Sequence, residues 1–289
     1  EASEWVYILA GVLLVLPLWS IARRLGGAHA GWAAAMATAA YPALTWGVPY
    51  WGTMTEPLYL LVVALALDLL VRRLTDAALG VRLRDCLLLG GLLGLAYLVR
   101  TEALVLVPVM FGLLAGTQVW RTREQRAARW PAALAGLAAG AVVFFLVALP
   151  FIIYLHDRTG EWRLTGAAGM AYVSMEGLSS GNVGSFDAST WGLDPASGEV
   201  YLFAPASEEE GLLSAVIANP VAFLRRLYGN LYDLLELLTG IRLVPVLVVV
   251  LAALGLFARP WSADRLWGEL ALFGSLLAPL SYVPFFVQD

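Results

Sequence analysis

From Cys86 to Trp120 the chain carries one charged interruption, Arg100-Thr101-Glu102, and is otherwise almost wholly apolar. A membrane-crossing helix takes about 20 apolar residues, because the hydrocarbon core is ~30 Å thick and a helix rises ~1.5 Å per residue. The stretch is too long for one such helix, and a charged triplet at the middle of a span would be costly in lipid. It is predicted to be a helical hairpin that turns at Arg100 to Glu102. The composition points the same way: 60% of the 289 residues are apolar or aromatic and 14% are charged, with a mean hydropathy of +0.77. A soluble domain is nearer 25% charged, so this chain has too little polar surface to cover a globule in water. Disorder and a disulfide scaffold are excluded by the same figures.

Backbone groups in lipid must bond internally, which makes helices the default for long apolar runs. The expected spans are Trp5 to Ile21, Ala28 to Trp46, Pro57 to Val71, the two arms of the Cys86–Trp120 hairpin, Trp130 to Leu155, Leu243 to Ala258 and Trp267 to Phe286. The fold class is therefore all-α, a polytopic transmembrane bundle of about eight helices with one long external loop region. The predicted layout is helices with short loops over 1–156, the external region over 157–242, and two further spans over 243–289.

The basic residues set the orientation. All 18 are Arg; Arg23 and Arg24, Arg72 to Arg84, Arg121 to Arg129, and Arg259 with Arg265 fall in alternate loops. Excess basic charge in short loops marks the cytoplasmic side, so both ends of the chain are expected outside. The opposite loops hold Glu56, Glu102 and the acidic section from Asp157 to Glu236. Within that section Asn219 can cap a helix, Pro220 suits a first turn, and Phe223, Leu227, Leu231, Leu234 and Leu238 recur at helical spacing. The segment 219–238 reads either as an amphipathic helix lying along the membrane surface or as a helix packed inside a small external domain. Small-residue pairs, Gly90 with Gly94 and Gly136 with Gly140, permit close helix packing.

Little conventional chemistry is written in the chain. Cys86 is the one cysteine, so neither an internal disulfide nor a thiolate metal cage can form. His29 and His156 are too far apart for a short zinc motif and read as interfacial or loop residues. There is no P-loop, no Gly-x-Gly-x-x-Gly after a strand, no His-Glu-x-x-His and no Gly-x-Ser-x-Gly. The Arg residues are scattered over membrane-edge loops, which argues against nucleic acid as a partner. Charge at the external ends of helices remains. Glu56, in Thr53-Met54-Thr55-Glu56-Pro57-Leu58-Tyr59, is either a helix cap favoured by the dipole or a carboxylate facing an external cavity with Trp46, Tyr50 and Trp51. Arg100 and Glu102 are either a self-satisfied turn or a pair pointing into a shared groove, where the Arg fork would bind phosphate or pyrophosphate. Asp68, one turn from Arg72, reads as its partner at the cytoplasmic end.

Three segments resemble a known family. Thr55-Glu56-Pro57-Leu58-Tyr59 before a span, Gly91-Leu92-Leu93-Gly94-Leu95-Ala96-Tyr97-Leu98-Val99-Arg100-Thr101-Glu102-Ala103-Leu104 with Thr101 where Pro is usual, and Asn219-Pro220 followed by Phe223 and Arg226 are similar to motifs of the GT-C membrane glycosyltransferases. The branch is that of the protein mannosyltransferases and aminoarabinose lipid A transferases. The resemblance implies transfer of a hexose or pentose from a polyprenyl-phosphate-linked donor to a lipid, glycan or protein acceptor on the outer face, with inversion. It implies substrate-binding roles for Glu56, Arg100 and Glu102, with Arg100 on the donor phosphate and Glu102 holding it. The general base is expected to be an Asp in the first external loop, which removes the acceptor proton as the new bond forms and would lie upstream of residue 1. On this reading the chain is a fragment that lacks its N-terminal helix and that loop and is inactive alone. No metal ligand is assigned, and dependence on a divalent metal stays open. The location implied is a cell membrane, the bacterial inner membrane first. Two other readings stay open: a secondary transporter or flippase, and a non-catalytic membrane scaffold.

Overall fold

The computed structural model describes residues 2–40, 55–76, 82–121, 126–160, 162–165, 191–193, 200–202, 217, 219–239 and 262–280. It divides into two compact units, 1–151 with 258–279 and 152–257 with 280–289. The fold is all-α and polytopic. Its first unit is built from α1 (Ala2–Leu13), α2 (Val15–Ala39), α3 (Glu56–Thr75), α4 (Leu83–Val99), a 3-10 helix (Thr101–Val105), α5 (Leu106–Arg121), most of α6 (Arg126–Thr159) and, beyond α7 (Pro220–Thr239) in sequence, most of α8 (Ala263–Leu280).

Among the described residues, three stretches are long and apolar enough to cross a membrane: Trp5–Ala39, Thr101–Trp120 and Pro131–Asp157. The first is not one rod. Gly27 has φ 84° and ψ −176°, a conformation open essentially to glycine alone. A straight helix would hold Trp19 and Trp32 about 20 Å apart, yet their rings meet edge to face at 6.3 Å. The chain therefore folds back at Gly27, which separates the first two expected spans. Arg23 lies at this turn with its guanidinium 4.9 Å from the centre of the Trp19 ring. Gly27→Val should cost about 1–3 kcal/mol through backbone strain alone. The thermal midpoint of the detergent-solubilised protein should fall accordingly, and an unchanged midpoint would refute the folded-back turn.

The surface is apolar where a soluble protein would be polar. Trp5, Leu9, Val12 and Leu16 form an exposed stripe along α1 and the start of α2, and Val142, Phe145, Leu146 and Leu149 do the same on α6. Such faces suit lipid. The interior holds Leu70, Val71, Leu74, Leu89, Leu93, Tyr97, Leu106, Met110 and Phe144, each at most 1% exposed. Tyr97 of α4 is wedged edge-on against Phe144 at 5.7 Å and Phe151 at 5.8 Å, both on α6. Together with the neighbours of Gly90 (Gly140) and Gly94 (Val147), these contacts make α4 and α6 run side by side in the same direction. Gly90 is the closest approach: a Cβ there would collide with the Gly140 carbonyl oxygen. The small-residue reading of Gly90, Gly94 and Gly140 thus has a definite packing partner.

The arginine-rich end of α3 is tied down by ion pairs. Arg72 bonds Asp68 at 2.5 Å, as the sequence suggested, and also reaches Ser20 Oγ at 3.2 Å. Arg73 crosses to Asp85 of α4 at 2.8 Å. Both carboxylates are buried, and the Arg partners offset the cost of placing charge there. Helix α8 begins with Ser262 capping the Arg265 amide at 3.1 Å. Its Gly268 and Gly274 lie against Leu25 and Thr75, and against Val109.

The second unit contains the end of α6, the strands β1 (Trp191–Leu193) and β2 (Val200–Leu202), and α7 (Pro220–Thr239). The strands pair antiparallel, Trp191 with Leu202 and Leu193 with Val200. This small ribbon was not expected from the sequence; its turn-rich connection, 194–199, lies outside the described residues. Helix α7 starts as predicted after Asn219, whose carbonyl accepts from the Phe223 amide at 3.1 Å. Val221, Leu224, Tyr228 and Tyr232 form its exposed stripe, beside the less exposed Phe223 and Leu227. The expected span Leu243 to Ala258, and residues 281–286 of the last one, lie outside the described residues.

Candidate functional site

The site is assembled where α4 ends. Arg100 is extended, with φ −150° and ψ 125°, and its amide still donates to the Ala96 carbonyl at 2.8 Å. Its own carbonyl then accepts from the Ala103 amide at 3.1 Å and starts the 3-10 helix. The predicted break at Arg100-Thr101-Glu102 is therefore real. One backbone residue closes one helix and opens the next, and its side chain is free to point sideways.

That side chain joins charges from two separate helices. Arg100 Nη1 donates to Glu56 Oε1 at 2.5 Å, across 44 residues of sequence. Its Nη2 donates to Glu102 Oε1 at 3.3 Å. Glu56 occupies the first turn of α3, with Pro57 beside it. Proline is tolerated there because the first amides of a helix lack partners within it, and a carboxylate is favoured by the helix dipole. Burial disfavours the charge on Arg100, but the hydrogen bond and charge of Glu102, followed by those of Glu56, outweigh it and raise the guanidinium above its ordinary value. Arg100 is permanently cationic. One guanidinium and two carboxylates leave the cluster with a net formal charge of −1.

All three residues singled out in the sequence thus meet. Their pairing differs in emphasis from the expected one, because the shorter bond of Arg100 goes to Glu56. Two atoms on this end of α3 are left over. Glu56 Oε2 and the Tyr59 hydroxyl are buried and have no hydrogen-bond partner among the described residues. Tyr59 follows Glu56 by three positions and so shares its face of α3; its hydroxyl lies within the electrostatic reach of Glu102 and Arg100. Sequence reasoning gave Tyr59 no role, and the i, i+3 spacing from Glu56 was the available signal. Trp46, Tyr50 and Trp51, expected beside Glu56, lie outside the described residues.

Along α3, Glu56 and Arg72 stand roughly 24 Å apart, so the triad and the Arg72–Arg73 ion pairs occupy opposite ends of one helix. In the second unit the His156 ring stacks on Trp162, 4.1 Å between centroids and 4° from parallel. Among the described residues no group of three His, Cys, Asp or Glu side chains is placed to hold a metal ion. Comparison with known proteins gives one family. The family model described as dolichyl-phosphate-mannose-protein mannosyltransferase matches residues 2–154, more than half of the chain. No curated protein and no solved structure matches.

Proposed function

The chain belongs to the dolichyl-phosphate-mannose-protein mannosyltransferase family, and from that premise we propose that it moves a sugar from a polyprenyl-phosphate donor to an acceptor at the outer face of a cell membrane, inverting the anomeric carbon. Membership makes it a membrane glycosyltransferase of GT-C type. The proposed setting is a bacterial inner membrane.

The observation that supports the reading best is the Glu56–Arg100–Glu102 cluster at one end of the bundle. It joins α3 to the α4–α5 junction at the end where arginine-rich loops are absent, the end that the charge rule assigns to the outside. A polyprenyl chain would lie along the apolar helix faces, while its head and the acceptor meet the charged cluster. With both terminal nitrogens already bonded to carboxylates, Arg100 acts in this reading mainly to hold Glu56 in place. Its three remaining N–H groups are available to a donor oxygen.

The test is transfer of radiolabelled sugar from dolichyl-phosphate mannose in membrane vesicles carrying the full-length protein. Right-side-out vesicles should yield labelled product from externally added acceptor. Inverted vesicles should yield it only after permeabilisation. Equal labelling by intact inverted vesicles would overturn the outer-face assignment, and no labelling in either would overturn the donor.

A further inference from the structure

The triad carries an incomplete hydrogen-bond inventory, and what is missing defines a ligand. Glu56 Oε2 and the Tyr59 hydroxyl are each shut off from solvent without a partner among the described residues, although Glu56 Oε1 is fully engaged with Arg100. A buried polar atom left unpaired costs about 1–3 kcal/mol, and most such atoms in native structures find a partner. Both come from one face of the first turn of α3, and Pro57, between them, is buried.

We propose that Glu56 Oε2 and the Tyr59 hydroxyl, on one face of the first turn of α3, form a subsite for the hydroxyl groups of a sugar ring, with Arg100 as the positioning residue that fixes the Glu56 carboxylate. This rests on the glycosyltransferase reading and narrows it. The chemistry follows from the donor and acceptor inventory. A carboxylate oxygen only accepts, so its partner must donate. A phenol both donates and accepts. The hydroxyls of a sugar ring serve both groups, one donating its proton to Glu56 Oε2 and one accepting from Tyr59. A phosphate does not: its ionised oxygens accept only, and they would face a cluster of net charge −1. The sugar hydroxyls therefore belong at Glu56 and Tyr59, and the phosphate belongs elsewhere on the donor's path. The hydroxyls can be carried by the donor's sugar or by a glycan acceptor, since both present the same groups.

The experiment measures binding by thermal shift of the purified full-length protein. The probes are dolichyl-phosphate mannose, dolichyl phosphate without sugar, and methyl α-mannoside. Wild type should bind the sugar-bearing lipid more tightly than the bare lipid if the donor's sugar occupies the subsite, or bind methyl α-mannoside if the acceptor's does. Tyr59→Phe removes one hydroxyl and keeps the ring, and should weaken that sugar-dependent part by roughly threefold to tenfold. Glu56→Gln replaces an acceptor oxygen with an amide and should weaken it by roughly tenfold or more. In both variants the affinity for bare dolichyl phosphate should stay at the wild-type value. A loss of bare-lipid binding equal to the loss of sugar-lipid binding would overturn the subsite, and so would sugar-dependent binding that Tyr59→Phe leaves intact. Wild type that responds to none of the three probes would overturn the glycosyltransferase reading itself, a result distinct from any defect confined to the variants.

Discussion

Arg100→Ala should lower the rate of sugar transfer by roughly a hundredfold and leave the amount of folded, membrane-inserted protein near the wild-type level. The two carboxylates it joins come from different helices. Without the cation they would repel each other, and Glu56 would lose the 2.5 Å bond that fixes its orientation. Hydrogen bonds to charged groups are worth about 1.5–3 kcal/mol, and one lost from a transition state at the upper end of that range accounts for the rate. The fold is affected less, because the cluster is half-exposed and sits beyond the buried apolar layers. Arg100→Lys should recover only part of the loss, since a single ammonium cannot span Glu56 and Glu102 with the planar fork of the guanidinium. Glu102→Gln should be milder than Glu56→Gln, because its bond to Arg100 is the longer one at 3.3 Å. Initial transfer rates in proteoliposomes, normalised to monodisperse protein on size-exclusion chromatography, give the comparison. Wild-type turnover in Arg100→Ala would remove the triad from the mechanism.

The ends of the helices were legible in the sequence because each is marked by a residue type with a physical reason to be there. Pro57 and Glu56 start α3, Asn219 precedes α7, and Arg100-Thr101-Glu102 break an apolar run that lipid would not tolerate whole. The turn between the first two spans was legible from Arg23 and Arg24, although the residue that makes it is Gly27. The all-α class followed from the length of the apolar runs alone. Long-range pairing was not legible. Nothing in the spacing says that Arg100 bonds a carboxylate 44 residues earlier more closely than the one two residues later, nor that Arg73 crosses to Asp85 while its neighbour Arg72 stays with Asp68. Tyr59 is the clearest case. Its importance comes from a hydroxyl that is buried and has no partner among the described residues, and burial is a property of the packed bundle rather than of the segment. The β1–β2 ribbon was missed for a related reason: strands of three residues are too short for any periodicity to register.

Gly90→Val should be the most damaging single substitution in the bundle, lowering the yield of monodisperse protein severely and costing more than about 3 kcal/mol in what remains. In lipid there is no hydrophobic drive to hold two helices together, so association rests on van der Waals contact and small residues that let backbones meet. A Cβ at Gly90 would collide with the carbonyl oxygen of Gly140, and one at Gly140 would lie 2.6 Å from the Cys86 carbonyl oxygen and 2.8 Å from Phe111 Cε1. These obstacles are mainly backbone, which cannot rotate aside as a side chain can. Relief would require α4 and α6 to move apart along their whole contact, past Gly94 against Val147 and past Tyr97 between Phe144 and Phe151. Because Arg100 sits at the end of α4, the same displacement would draw it away from Glu56, so any surviving protein should also transfer sugar poorly. Two other glycines supply the control. A Cβ at Gly91 would meet only Val143 Cγ1 at 3.8 Å, and one at Gly112 would meet nothing within 4 Å. Gly91→Ala and Gly112→Ala should therefore be neutral or slightly stabilising, by up to about 1 kcal/mol from helix propensity. Equal thermal midpoints for Gly90→Val and Gly91→Ala would show that α4 and α6 do not meet through Gly90.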